Sequence, residues 1–575
     1  MRSQSIFAVA KKHRVIPIEA SGLYPISNLI RAGSAVGFAV SLALVPATAR
    51  ASGDPEPQQA GVAAAPMTFP IMAIDVLGVS SLPNGLVEKS VYPFLGPDRT
   101  QADVEAARKA VQDAYAQAGF DATVVEIPPQ PQEDFALGLI RIQVTEAPVG
   151  RVAVSGAKHH SADRLLRQIP SLSPGQPVNF KALQREVEAA NRFPDREVEP
   201  SFDAGEQPGT IDVDLKVRDS LPFHASAELN NDNSPNTTAL RATGSASYSN
   251  LWGLGHTISL AYSVAPQRRS DSEAIIGSYS LPFLGSDWTL MLSGYKSNSN
   301  IAALGGTNVL GNGYQVGVQA IYRLPSARDY HAFRFGVDYK DFKQDIGLRG
   351  TTISNAPIRY MPLTLGYNFS AAREKWSLDL GLTSTLGLRV MKRITCFDPA
   401  ATVCLPEDQF TNREIDATEN FAHINLDATY TAIFPGDWVA EARMSGQYAD
   451  SHLVSNEQFA IGGMTTVRGY YQSEIVGDRG LAGSIELRAP SLATQLGTFF
   501  DELRFFVFAD GGIVSLIDPL PDTQSSFRIA SAGGGLRLKV FGHLTGEALV
   551  GLPLRSTADT NRNDPRFTFL VKGEF

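Results

Sequence analysis

Few residues in this chain have neighbours that point to chemistry, and what those neighbours point to is charge pairing rather than bond making. Arg468 stands in the run Val467-Arg468-Gly469-Tyr470, shortly after Gly462-Gly463. Asp510 stands in Phe508-Ala509-Asp510-Gly511-Gly512, inside the otherwise apolar stretch LRFFVFADGG. A carboxylate there must turn away from apolar surroundings, because leaving it unpaired against them is costly. Arg468 taken alone is an ordinary solvated loop charge. Glu441 and Arg443 suit the lining of a wet channel better than a catalytic pair. His159-His160 lies in a polar turn and is expected to be solvated rather than metal-binding. Cys396 and Cys404 are close in one loop, so a local disulfide is expected, the alternative being two free thiols. The chain has no P-loop, dinucleotide fingerprint, HExxH or GxSxG. No enzyme activity, cofactor or metal is therefore expected.

Composition narrows the class. Fifty Lys and Arg against 59 Asp and Glu leave a formal charge of -9, which argues against nucleic acid as a partner. Charged residues make up 19%, below the roughly 25% of soluble domains. Thirty Phe and 17 Tyr are incompatible with general disorder, and two Cys cannot make a disulfide scaffold. After residue 50 no apolar run approaches the ~20 residues of a membrane helix. A membrane β-barrel stays open, because its strands alternate and hide their apolarity from an average.

Residues 1–51 have the order of an export signal. Lys11, Lys12, Arg14 and Arg31 precede a 14-residue apolar run, Ala32 to Val45, and Pro46, Ala47-Thr48-Ala49 and Ala51 follow. The run is too short to span ~30 Å of hydrocarbon. Residues 52–68, with three prolines and no apolar stripe, read as a linker.

Two small α+β units follow, at 69–148 and 149–219, each in the order strand, helix, helix, strand, strand. In the first, 69–78 is extended, Thr100 with Asp103 opens a helix, Gly119 ends it, and 122–127 and 139–144 are strands. In the second, strand 151–156, helix 161–169, a helix capped by Asn179, and strands 196–202 and 210–219 repeat that order. An exposed strand edge in such a unit can accept an extended peptide.

From residue 220 the period is two. Ile258, Leu260, Tyr262 and Val264 oppose Thr257, Ser259, Ala261 and Ser263, and Trp438, Ala440, Ala442 and Met444 oppose Glu441, Arg443, Ser445 and Gln447. Sixteen such stretches are expected, near 222–230, 239–249, 255–265, 273–282, 286–296, 313–324, 330–342, 359–370, 375–388, 420–432, 436–447, 480–489, 502–512, 526–538, 540–550 and 566–575. Connections after even strands are mostly short (NLWGLG, FLGS, LPSARD, FPGD), while many after odd strands are long. Short turns on one side and long loops on the other are the pattern of a 16-stranded outer-membrane barrel, its apolar face on lipid and its lumen wet. A soluble β-sandwich would need a boundary linker that the chain lacks. By parity Asp510, Phe508 and Phe506 face the lumen. The last strand ends on Phe575 and resembles the terminal signal by which such barrels are inserted.

With these motifs the chain resembles the transporters of two-partner (type V) secretion, the TpsB group of ShlB/FhaC/HecB haemolysin secretion/activation proteins, in the BamA superfamily. Members carry a VRGY/F motif in the sixth extracellular loop, which folds into the lumen, and an F-x-D-x-G motif on strand 13. The matching positions are Val467, Arg468, Gly469 and Tyr470, and Phe508, Asp510 and Gly512. The resemblance implies an Arg468–Asp510 salt bridge and reads the two α+β units as POTRA modules, the segment 191–217 closely resembling the end of the second. It further implies a TpsA-like secreted exoprotein, recognised in the periplasm through its N-terminal secretion domain and exported without nucleotide hydrolysis. Barrel-assembly machinery would insert the protein into outer-membrane lipid. The other functions considered are a barrel-assembly factor, which usually carries more POTRA units, and a passive porin, which has no use for the two motifs. The plugging N-terminal helix common in the family has no counterpart in 52–68.

Overall fold

The computed structural model describes residues 67–575, apart from 194, 284, 299–300, 305–306, 311, 327, 344, 349–350, 356, 392–393, 396–406, 415 and 520–523. The expected export signal, most of the linker, Cys396 and Cys404 lie outside the described residues. The chain divides at Ser220 into two compact units.

The first unit holds two modules of one topology. In module one, Ala73–Leu77 pairs parallel with Leu139–Thr145, which pairs antiparallel with Val124–Glu126. In module two, Val149–Ser155 pairs parallel with Ile211–Asp219, which pairs antiparallel with Arg196–Ala204. Helices Asn84–Val91 and Gln101–Ala118 belong to the first, Ala162–Gln168 and Phe180–Ala190 to the second. The long helix starts where expected: Asp103 accepts from the Thr100 amide at 2.7 Å and hydroxyl at 2.8 Å, and Gly119 ends it at φ 96°. Val104, Ala107, Val111 and Tyr115 form its buried face. Two elements were not expected: strand Gly96–Arg99, paired with Phe69–Ile71, and a helix, Gln132–Ala136, in the Pro-rich turn.

Both modules use one device to hold the loop after their first strand. A carboxylate just past or at the end of the third strand collects that loop's amides. Glu146 accepts from Ser80 and Ser81 N–H, both at 2.9 Å, and from the Tyr115 hydroxyl at 2.7 Å. Asp219 accepts from the amides of Lys158, His159 and His160 at 2.8–3.0 Å. The expectation of two solvated histidines is corrected here for His160. Its side chain is only 6% exposed, with Nδ1 3.2 Å from Asp219, because the carboxylate draws the turn inward. Burial pushes the His160 pKa down.

The second unit is a closed antiparallel barrel of sixteen strands. They are β1 Phe223–Asn230, β2 Arg241–Leu251, β3 His256–Val264, β4 Glu273–Pro282, β5 Trp288–Ser297, β6 Asn312–Arg323, β7 Tyr330–Lys343 and β8, split as Ile358–Tyr360 and Leu363–Ala372. Then come β9 Trp376–Leu386, β10 Ala422–Phe434, β11 Trp438–Ala449, β12 Arg479–Arg488, β13 Phe500–Ser515, β14 Ser526–Val540, β15 Leu544–Pro553 and β16 Arg566–Glu574. Pro362, which has no N–H for the ladder, lies in the break in β8. The barrel closes between β16 and β1, from Leu570 opposite Asn230 to Glu574 opposite Ser226.

Alternation sorts as expected for lipid outside. Ile258, Leu260 and Tyr262 are exposed on β3 and Trp438 and Met444 on β11, whereas Glu441 and Gln447 are buried. At the short-turn end Trp252, Phe283, Trp288, Trp438, Phe499 and Phe541 are all exposed, the placement of an interfacial aromatic girdle. Strands β13 and β14, at 16 and 15 residues, run beyond the expected 502–512 and 526–538, and they carry the site described next.

Burial alone would raise the Glu146 carboxyl, but the Ser80, Ser81 and Tyr115 hydrogen bonds outweigh it and hold the pKa at about 2, against the usual 4.5. A group depressed in this way contributes stability above its unfolded pKa and loses it as pH falls toward the folded one. Glu146→Gln should therefore lower the melting temperature of fragment 67–220 at pH 7. The gap to the parent should close between about pH 4 and pH 2. A gap of constant size across that range would show that the charge is not responsible.

Candidate functional site

Residues 450–478 join β11 to β12 as the sixth long loop. Its stem is a short ladder, Phe459–Ile461 against Ile475–Gly477. Beyond the stem the chain reverses through Gly462, Gly463 and Gly469 at φ 112°, 92° and 91°. A Cβ on Gly462 would stand 2.3 Å from the Tyr471 carbonyl oxygen, and one on Gly469 would stand 3.0 Å from the Gly551 carbonyl carbon on β15. Glycine at 469 lets the tip lie backbone to backbone on the barrel wall.

That wall is the inner one. Ile485 and Leu487 on β12, and Phe505 and Val507 on β13, are exposed outward, so Ser484, Glu486, Phe506, Phe508 and Asp510 point to the lumen. Arg468, 2% exposed, meets this inward set. Its Nε and Nη2 donate to Asp510 Oδ2 and Oδ1, both at 2.8 Å, and its backbone N–H donates to Oδ2 at 2.9 Å. Nη1 donates to Glu486, and Nη2 also reaches Ser484 Oγ at 2.9 Å. The guanidinium carbon lies over the Phe508 ring, 3.7 Å from its centroid.

The other motif positions make room for this contact. Val467 is fully buried with Ile461, Ile475, Val514 and Ile529. Gly512 leaves the space they fill, since a Cβ there would meet Ile461 at 3.0 Å and Val467 at 3.3 Å. The Tyr470 hydroxyl sits 3.0 and 2.9 Å from the Ala530 and Arg555 carbonyls. On β14, Gly533 and Gly535 leave space for the Phe508 and Phe506 rings, at 2.5 and 2.7 Å from a hypothetical Cβ.

The ion pair is part of a larger cluster. Glu486 also contacts Arg488 at 2.7 Å and Arg537 at 3.0 Å. Arg537 reaches Glu547 at 2.7 Å, and Glu441 joins Arg488 at 2.6 Å and Arg443 at 3.2 Å. Four guanidiniums (468, 488, 537, 443) thus meet four carboxylates (510, 486, 547, 441), and their formal charges cancel. Glu441 and Arg443 line the lumen as expected, but as neighbours in one network. Among the described residues no group of His, Cys, Asp and Glu could hold a metal ion.

The model of the family "haemolysin secretion/activation protein ShlB/FhaC/HecB" matches residues 209–538, more than half of the chain, and that of the ShlB-type POTRA domain matches 69–147. The chain belongs to this family. Among curated relatives, the outer membrane transporter CdiB of Dickeya dadantii is 22% identical over 397 residues, 66% of this chain and 65% of that protein. The heme/hemopexin transporter protein HuxB of Haemophilus influenzae is 22% identical over 487 residues, 82% of this chain and 80% of its own. The solved CdiB of Escherichia coli shares the fold at TM-score 0.61 and 18% identity, over 90% of this chain and 93% of that one. The family member described here is thus an outer-membrane barrel with POTRA modules in the periplasm.

Sequence reasoning named Arg468 and Asp510 but missed Glu486, Ser484, Arg537 and the two β14 glycines. Signals for them were present. Ser484, Glu486 and Arg488 share the polar face of β12, and a glycine triplet in a strand marks a close approach. Phe575 is exposed, with its ring 6.4 Å from Phe223 and its backbone paired to Ala225.

Arg468→Lys keeps the charge but cannot serve Asp510, Glu486, Ser484 and the Phe508 face together. Undocking of the loop tip should become easier by about 2–3 kcal/mol. Gly469→Ala should cost about 1–3 kcal/mol through strain at positive φ. Limited proteolysis of the folded protein should cut both variants within 462–474 faster than the parent, and unchanged cleavage would contradict this account of the tip.

Proposed function

We propose that this protein exports a large partner protein across the outer membrane. The partner's N-terminal secretion domain binds the POTRA modules as an extended chain and then threads the barrel. The observation that carries the reading is loop 6 held against the inner wall by Arg468. A loop tip whose buried guanidinium is held by β12 and β13 is an element with two positions, docked or released. The edge strands Ala73–Leu77, Val124–Glu126, Val149–Ser155 and Arg196–Ala204 offer backbone groups for strand addition. With no nucleotide motif in the chain, folding of the cargo outside supplies the drive. Barrel-assembly machinery reads the terminal Phe575 during insertion.

Arg468→Ala should abolish export while the barrel still inserts, measured as cargo in the medium against heat-modifiable barrel in the membrane. Breaking the pair costs about 3–5 kcal/mol if the site is dry. The reversed pair, Arg468→Asp with Asp510→Arg, should recover part of the export, limited by Glu486 beside the new aspartate. Full export by Arg468→Ala would remove the mechanism. Deleting Phe575 should lower the amount of inserted barrel, and unchanged insertion would take that role from the residue.

A further inference from the structure

Besides Arg468 and Asp478, loop 6 carries the buried charge Glu457, ahead of the stem and apart from the arginine site. It is 6% exposed. Its carboxylate accepts from Lys340 Nζ at 2.5 Å and from the Tyr360 hydroxyl, and lies 3.3 Å from His423 Nε2. Those partners belong to β7, β8 and β10, none of which carries a member of the Arg468 cluster, and β10 meets it only as the strand beside β11, low on the wall at Thr429 and Thr431. On β7, Phe333 and Phe335 are exposed outward, and on β10 Ile424 and Leu426 are, so Lys340 and His423 point inward.

The two attachments also differ in depth. Lys340 is three residues from the outer end of β7, and His423 is the second residue of β10. Asp510 is five residues below the outer end of β13, about 17 Å of strand. The rim contact is braced on both legs of the loop. Gln447 Nε2 donates to the carbonyls of Glu457 at 2.9 Å and Asp478 at 3.1 Å. Asp478, fully buried, accepts from Leu453 N–H at 2.9 Å and Gln458 Nε2 at 3.2 Å. Beside it Leu453 and Val454 pack with Phe342, Tyr360, Phe410 and Phe421 into one apolar core. A carboxylate so enclosed is tolerated only while Lys340 and its hydrogen-bond partners stay in place.

We propose that Glu457 is a positioning residue, a second and independent latch that holds the stem of loop 6 to the rim through Lys340, His423 and Tyr360, and that the loop leaves the lumen only when this latch and the Arg468 latch both open. The inference rests on the exporter reading for its purpose, but its test needs no cargo.

The test is amide hydrogen exchange on the intact protein in lipid. Glu457→Gln should speed exchange in 450–461 roughly tenfold or more and leave 464–472 within about twofold of the parent. Arg468→Ala should do the reverse. Lys340→Met should match Glu457→Gln and covers the case in which that variant fails to insert. Lys340→Arg, which keeps the charge, should hold the parent rate, whereas a merely packing role would not tell Arg from Met. In planar bilayers, Glu457→Gln with Arg468→Ala should open the pore more often than the two single variants summed. The proposal is overturned if neither Glu457→Gln nor Lys340→Met changes exchange in 450–461, or if either single variant releases both segments together. Loss of export by Arg468→Ala with an intact rim pattern would leave both readings standing, and normal export with the same pattern would remove only the exporter mechanism.

Discussion

A guanidinium taken out of water needs anions held in place before it arrives, and Arg468 depends on that condition. Its anions are on two neighbouring strands, where Ser484 pairs in register with Asp510 and Glu486 with Phe508. The strands hold them in place because around Asp510 and Glu486 the wall's backbone is committed to the β12–β13 and β13–β14 ladders of a closed barrel. In lipid no looser arrangement satisfies the backbone. The barrel is therefore the frame that keeps a carboxylate pair waiting, and the loop supplies the cation.

Charge cancellation explains why this cluster can sit inside a wall facing hydrocarbon. Arg468 brings one positive charge to a wall set of four carboxylates and three other guanidiniums, so docking the loop completes the balance. Releasing it leaves the wall set one negative charge in excess, with Arg488 and Arg537 still beside Glu486 and the Arg468 contact taken from Asp510. The docked state is favoured by electrostatics, while the glycines at 469, 512, 533 and 535 decide that backbone and rings approach closely enough for it to act.

The periplasmic unit solves a related problem with smaller means. Glu146 and Asp219 each hold the loop after a first strand by taking its amides. The two modules also meet head to tail within their unit. The Phe180 amide donates to the Gly119 carbonyl at 2.7 Å, and Asn179, which caps its own helix through the Ala182 amide, donates to the Ala118 carbonyl at 3.0 Å. The end of one helix thereby satisfies the start of the next.

Much of this was written locally in the chain. Alternation with period two, the unequal connections and the Thr100 and Asn179 caps are properties of neighbouring residues. They determined sixteen strands, two repeated modules and the inward face of Asp510, because side-chain direction in a strand follows from position alone. The sequence also marked Arg468, through a motif rather than through physics. What only the tertiary structure decided is which charges meet. Glu486 for Arg468, Lys340 and His423 for Glu457, and Asp219 for His160 are partners far apart in the chain. Local pattern marks the polar face of a strand, but which residue of that face meets which loop charge depends on register and on where each loop turns.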